Sequence, residues 1–130
     1  MTKTLTINGG SIHDIPAFYA EINRVFMAGE DWTLGESLDG LDDMLRGGYG
    51  AIKGRETIML VWRDIAVARC SLGVKATRGF LQAKLERPDL YDAERLGHQI
   101  LALDGGAGQT YFEIILEIIA GHPNIHLVSA

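Results

Sequence analysis

The amino-acid sequence predicts a single α/β domain: a three-stranded parallel sheet flanked by helices, a small three-layer type of fold, with a helical insertion at about residues 73–108. Three observations carry that expectation. Strand-like segments open the chain, cross its middle and close it. Helix-period segments with recognisable caps fill the intervals. The resulting order, β-α-α-β-α-(α-α)-α-β, is that of strands joined through helices. The 130 residues suit one domain, 1–130, and a composition 47% hydrophobic and 22% charged is that of a globular chain, not a disordered one. A chain of this size buries roughly 68% of the surface its unfolded form exposes, so no disulfide or metal staple is needed.

Each element has a local reason. Residues 3–8 alternate, with Leu5 and Ile7 on one face, and Gly9-Gly10 ends this half-buried strand. Asp14 and Pro16 mark a helix start, since proline fits the first turn without losing a needed hydrogen bond. Ile15, Phe18, Ile22, Val25 and Phe26 then recur at helical spacing until Gly29. Ser37 is a good N-cap for a second helix, with Leu38, Leu41 and Leu45 as its apolar side and Gly47-Gly48 as its stop. Residues 57–62 form a continuous apolar run, expected as a central strand buried on both faces. A short helix follows Asp64 and places Cys70 against the core. Two further helical stretches, about 77–87 and 89–103, part at Pro88, and residues 104–108 are a loop. Thr110 and Glu113 fit a capping box opening a helix to Gly121, and residues 125–128 are the last strand. The insertion is expected to pack beside that last helix, because Ile114 and Ile118 flank its core stripe and want cover.

The formal net charge is −5, with 12 Lys+Arg against 17 Asp+Glu, an acidic balance that argues against direct nucleic-acid binding. Its distribution is more informative. Residues 51–100 are net basic, whereas Glu30, Asp31, Glu36, Asp39, Asp42 and Asp43 lie within residues 30–43 without a single base. A lone cysteine implies no oxidising compartment. The N-terminus lacks the apolar stretch of a secretory signal, and the longest apolar runs fall far short of the ~20 residues of a membrane helix. The expectation is a cytoplasmic protein without membrane contact.

Asp39, Asp42 and Asp43 share one helix face, opposite the leucines. Asp39 gains from the helix dipole, but like charges at this spacing cost roughly 0.2–0.5 kcal/mol per pair. Such a face is a solvated surface, a carboxylate site for acid–base chemistry or a hard cation, or a docking face for a basic partner. No histidine or lysine accompanies the acids for catalysis, which leaves a small carboxylate-dependent hydrolase as the weakest reading, and the spacing is not that of a calcium loop. His122 and His126 have a metal-like spacing, but Pro123 and the strand that follows deny them a shared helical face. Gly105-Gly-Ala-Gly108 lacks the Lys-Ser/Thr of a phosphate loop. No metal, cofactor or catalytic residue is expected, and Trp62 reads as core.

The stretch Gly35-Glu-Ser-Leu-Asp-Gly-Leu-Asp-Asp-Met-Leu45 resembles the helix-2 motif of the barstar family of ribonuclease inhibitors: a glycine, a polar cap, Leu-Asp-x-Leu, a second aspartate one turn on, and a leucine. Leu5-Thr-Ile-Asn-Gly9 resembles the family's opening strand, Leu60-Val-Trp-Arg63 its central strand, and the helix and strand ending Ile125-His-Leu-Val-Ser129 its close. The resemblance covers about residues 3–72 and 109–129. It implies a barstar-like fold and a monomeric, non-enzymatic inhibitor whose partner is a basic ribonuclease or ribonuclease toxin, as an immunity protein would have. Carried over by position, the family's aspartates fall on Asp39 and Asp43, with Asp43 the main phosphate mimic, and its acid on the last helix falls on Glu117. Asp42 and the loop residues Trp32, Thr33, Leu34, Gly35 and Glu36 adjoin them. Three family aromatics are replaced: Thr33-Leu34 stands where the type member has two tyrosines, and Gly48 where it has a tryptophan, with Trp32 and Tyr49 nearby. Those changes and the insertion leave open a different toxin or an adaptor role.

Overall fold

The computed structural model describes residues 2–130. Its elements are β1 (Lys3–Asn8), α1 (Ile15–Phe26), α2 (Leu38–Leu45), β2 (Ile58–Arg63), α3 (Ile65–Ser71), α4 (Val74–Leu85), α5 (Ala93–Asp104), α6 (Tyr111–Ala120) and β3 (Ile125–Ser129), with a 3-10 turn at Gly9–Ser11 after β1. The sheet order is β1-β2-β3, all parallel. In register, Leu5, Leu60 and Leu127 lie side by side, as do Ile7, Trp62 and Ser129.

Local chemistry sets the helix starts. Asp14 accepts from the Ala17 amide at 2.8 Å with Pro16 in the first turn, and Ser37 accepts from the Gly40 amide at 3.0 Å. Thr110 and Glu113 form the full capping box, and the Thr110 amide and hydroxyl, both donating to the Glu113 carboxylate, hold it below its ordinary value.

Ile7, Leu60 and Trp62 face one way, into a core completed by Phe18 and Phe26 of α1, Leu41 and Leu45 of α2, and Phe112 and Ile115 of α6. Trp62 is fully buried, stacked with Phe18 at 6.1 Å between ring centroids and edge-on to Phe112 at 5.6 Å. Each such pair adds about 0.5–1.5 kcal/mol beyond area burial. The expectation that β2 is buried on both faces does not hold. Ile58, Leu60 and Trp62 are buried, but Met59 is 40% exposed and Arg63 is exposed. Thr4, His126 and Val128, on the same side as Met59, are exposed as well. The helices that fill the core share one side, so a run apolar enough for two-sided burial is left half open. Cys70 is likewise exposed on α3, because only Ala68 of that short helix turns fully inward.

The insertion is a helical hairpin. α4 and α5 begin and end within a few residues of the expected bounds, and Leu81, Leu96 and Leu103 form a second small core between them. It does dock on α6, at that helix's first turn. The Thr77 hydroxyl accepts from the Tyr111 amide and donates to the Gly73 carbonyl, both at 2.7 Å, and Phe80 packs edge-on to Tyr111 at 5.1 Å. It does not cover Ile114 and Ile118, which stay half-buried and border a groove facing Leu38 of α2. No helix among the described residues is long and apolar enough to cross a membrane.

Candidate functional site

The groove of about 350 Å³ between α2 and α6 is where the acids gather. Its floor is Leu38, Ile114 and Ile118, and its rim carries Asp39, Asp42 and Glu117. Asp39 is exposed in the first turn of α2, and among the described residues no ion pair engages it. Glu117 is exposed and accepts from the Gln109 side-chain amide at 2.5 Å. Residues far apart in sequence thus share one rim because both helices send their other faces into the same core.

Asp43 lies beyond the groove's lining, one turn along α2 and toward the aromatic edge. Trp32, 44% exposed, packs against Tyr49 with ring centroids 4.9 Å apart. Partial burial and the Asp43 charge push the Tyr49 phenol up, and its hydroxyl donates to the Gly40 carbonyl at 3.4 Å. The loop that brings Tyr49 back over α2 depends on Gly47. Its φ is +89°, and a Cβ there would meet the Gly54 carbonyl oxygen at 2.2 Å.

The flanking loop is tied down from α1. Asn23 accepts from the Leu34 amide at 2.7 Å and donates to the Leu34 carbonyl at 3.0 Å. This corrects one expectation: the Leu34 side chain is 7% exposed and belongs to the core, so it offers no contact surface. Its neighbours Thr33, Gly35 and Glu36 are exposed. Behind the loop the hydroxyls of Tyr19 and Tyr111 meet at 2.6 Å. Burial raises both phenols, that of Tyr19 well above its ordinary value, with the Glu36 charge adding to the rise.

Two residues near the acids carry no signal in the window of residues 30–43. Arg46, just past it, reaches back to Asp42 at 3.1 Å and Asp43 at 3.2 Å. The i,i+4 and i,i+3 spacing makes that pairing readable in hindsight. With Arg46 66% and Asp43 57% exposed, such a pair is worth at most about 1 kcal/mol. His122 bonds Asp42 across 80 residues, a distance no sequence spacing reveals. It turns away from His126, which sits exposed on the open face of the sheet. Asp42 is therefore engaged on both carboxylate oxygens, while Asp39 and Glu117 point outward and Asp43 holds only an exposed arginine.

Parallel three-stranded sheet, helix order and the position of α2 together define a barstar-like α/β domain. The family sequence model described as barstar (barnase inhibitor) matches residues 2–91, and the chain belongs to that family. No curated protein matches the chain. The matched stretch runs from β1 through α4 and contains all of α2. α5, α6 and β3 lie beyond it, so Glu117 owes its place beside the site to the packing of α6 on α2.

Proposed function

We propose that this chain inhibits a ribonuclease, covering the enzyme's basic active site with carboxylates that stand where RNA phosphates would bind. Asp39 and Asp43 on α2 and Glu117 on α6 are the groups that meet the enzyme's cations. Trp32, Tyr49 and the exposed loop residues Thr33, Gly35 and Glu36 make the adjoining apolar and polar rim. The observation that supports this most is the juxtaposition of α2 and α6. Two separate acidic segments of the sequence converge on one groove, within a family of ribonuclease inhibitors. The whole 130-residue chain acts as one monomeric, cytoplasmic domain in this reading, without cofactor, metal or catalysis.

Long-range attraction between an acidic face and a basic cleft speeds association and fades with salt. Loss of one charge-assisted contact costs about 1.5–3 kcal/mol, or roughly 10- to 150-fold in Kd. Asp43→Ala is expected to weaken inhibition of the cognate ribonuclease by at least that factor. Unchanged inhibition would defeat the mechanism.

The tilted Trp32–Tyr49 pair favours a particular target within this reading, since it offers aromatic surface in a chain that has Thr33-Leu34 and Gly48 in place of the family's tyrosines and tryptophan. A ribonuclease toxin other than the type member's enzyme, held as by an immunity protein, fits that difference. A pull-down with the wild-type chain, eluted with salt, identifies the target. Retention of a protein without nuclease activity would favour an adaptor role.

A further inference from the structure

We propose that His122 is a positioning residue: its imidazole clasps Asp42 and fixes the acid-bearing face of α2 relative to α6. The clasp itself is read from geometry, and its effect on binding rests on the inhibitor reading above.

His122 lies in the turn between α6 and β3, outside the family-matched stretch. Its Nε2 is 2.7 Å from an Asp42 carboxylate oxygen, and its side chain is 11% exposed. The anchor is stiff. The His122 amide donates to the Ile119 carbonyl at 3.0 Å, its own carbonyl accepts from the Ile125 amide at 3.0 Å, and Pro123 follows. The ring is therefore fixed to the end of α6 and the start of β3 together.

α2 needs such an anchor. It has eight residues, too few to be stable alone, and it carries three like charges on its outer face. Leu41, Met44 and Leu45 hold its inner side in the core and half-buried Leu38 holds its first turn, which leaves the Asp42 edge to polar contacts. The clasp holds that edge. Asp42 of α2, Arg46 at its C-cap and Arg55 of the loop before β2 are the charged groups beside the imidazole; they line a cleft of about 620 Å³ together with Asn124. Arg46 takes the second Asp42 oxygen. Asp42 is thereby spent inside the molecule, and Asp39 and Asp43 on either side are left for the partner.

The test has a partner-free arm and a binding arm. In the free protein, His122→Ala is expected to speed amide hydrogen exchange in the last turn of α2 by about tenfold. His122→Gln, which keeps a donor within reach of Asp42, is expected to stay within about threefold of wild type. Asp42→Ala opens the clasp from the helix side without touching the α6–β3 turn, and it should accelerate exchange as His122→Ala does. That variant keeps the test alive if alanine at 122 prevents folding. In the binding arm, the dissociation rate from the ribonuclease should rise about tenfold for His122→Ala, with association within about twofold and glutamine again rescuing. Unchanged exchange in both alanine variants, or glutamine as damaging as alanine, overturns the clasp. Faster exchange with an unchanged dissociation rate overturns its role in the site. A wild-type chain that inhibits no ribonuclease, with the exchange results as expected, overturns the inhibitor reading alone.

Discussion

Asn23→Ala separates the scaffold of the site from its charges. The Asn23 side chain is half-buried on α1, and both of its polar atoms are spent on one residue of the α1–α2 loop. Truncation removes two hydrogen bonds at once. Each contributes about 0.5–1.5 kcal/mol net, so the expected loss is about 1–3 kcal/mol. The upper half of that range is the better expectation, because Leu34 is 7% exposed and its orphaned amide and carbonyl meet little water. Urea unfolding at pH 7 followed by far-UV circular dichroism measures the loss, and the melting temperature should drop by several degrees. Since the loop carries Trp32, tryptophan fluorescence should also show a more solvated indole in the folded variant. A stability within about 0.5 kcal/mol of wild type, with unchanged fluorescence, would refute the idea that this amide sets the loop.

Three other expectations follow from polar and backbone geometry. Glu21 is 6% exposed; burial alone would raise its carboxyl, but hydrogen bonds from Arg24 at 2.7 Å and from the Asn8 amide at 2.6 Å outweigh burial and hold it below its ordinary value. A carboxyl depressed on folding contributes stability above its unfolded value, near 4.3, and loses it as pH falls through the folded value. Glu21→Gln should therefore be less stable than wild type at pH 7, with the gap closing as pH drops below about 4 in urea melts. Tyr19→Phe strands the Tyr111 hydroxyl and should cost about 1–3 kcal/mol, whereas adding Tyr111→Phe should cost little more, a coupling that a double-mutant cycle reads directly. Gly47→Ala should cost at least about 1–3 kcal/mol by thermal melting, from its positive φ and the collision with Gly54.

Elements held by local chemistry were legible in the sequence. The Asp14, Ser37 and Thr110 caps fall where their residue types demand, and helical periodicity names Phe18, Ile22 and Phe26 as core. Burial was less legible, because it depends on which side other elements choose. The 57–62 run is apolar on both faces, yet the helices cover only the Trp62 side, leaving Met59 open. Leu34 looks like a surface loop residue until Asn23 is seen pulling it inward. The acidic face of α2 could be read from spacing alone, and so could the separation of Glu117 from its helix's core stripe. Their convergence on one groove could not, since it depends on packing between segments some 75 residues apart. His122 had no sequence signal for the same reason.

Titration calorimetry of a barnase-type ribonuclease with the wild-type chain, and with a variant carrying both Asp39→Ala and Asp43→Ala, tests the central claim most directly. Run at low and at moderate salt, it should show one-to-one binding that weakens as salt rises and is lost, or reduced by orders of magnitude, in the double variant. Tight binding by the double variant, indifferent to salt, would contradict an acidic face that takes the place of RNA.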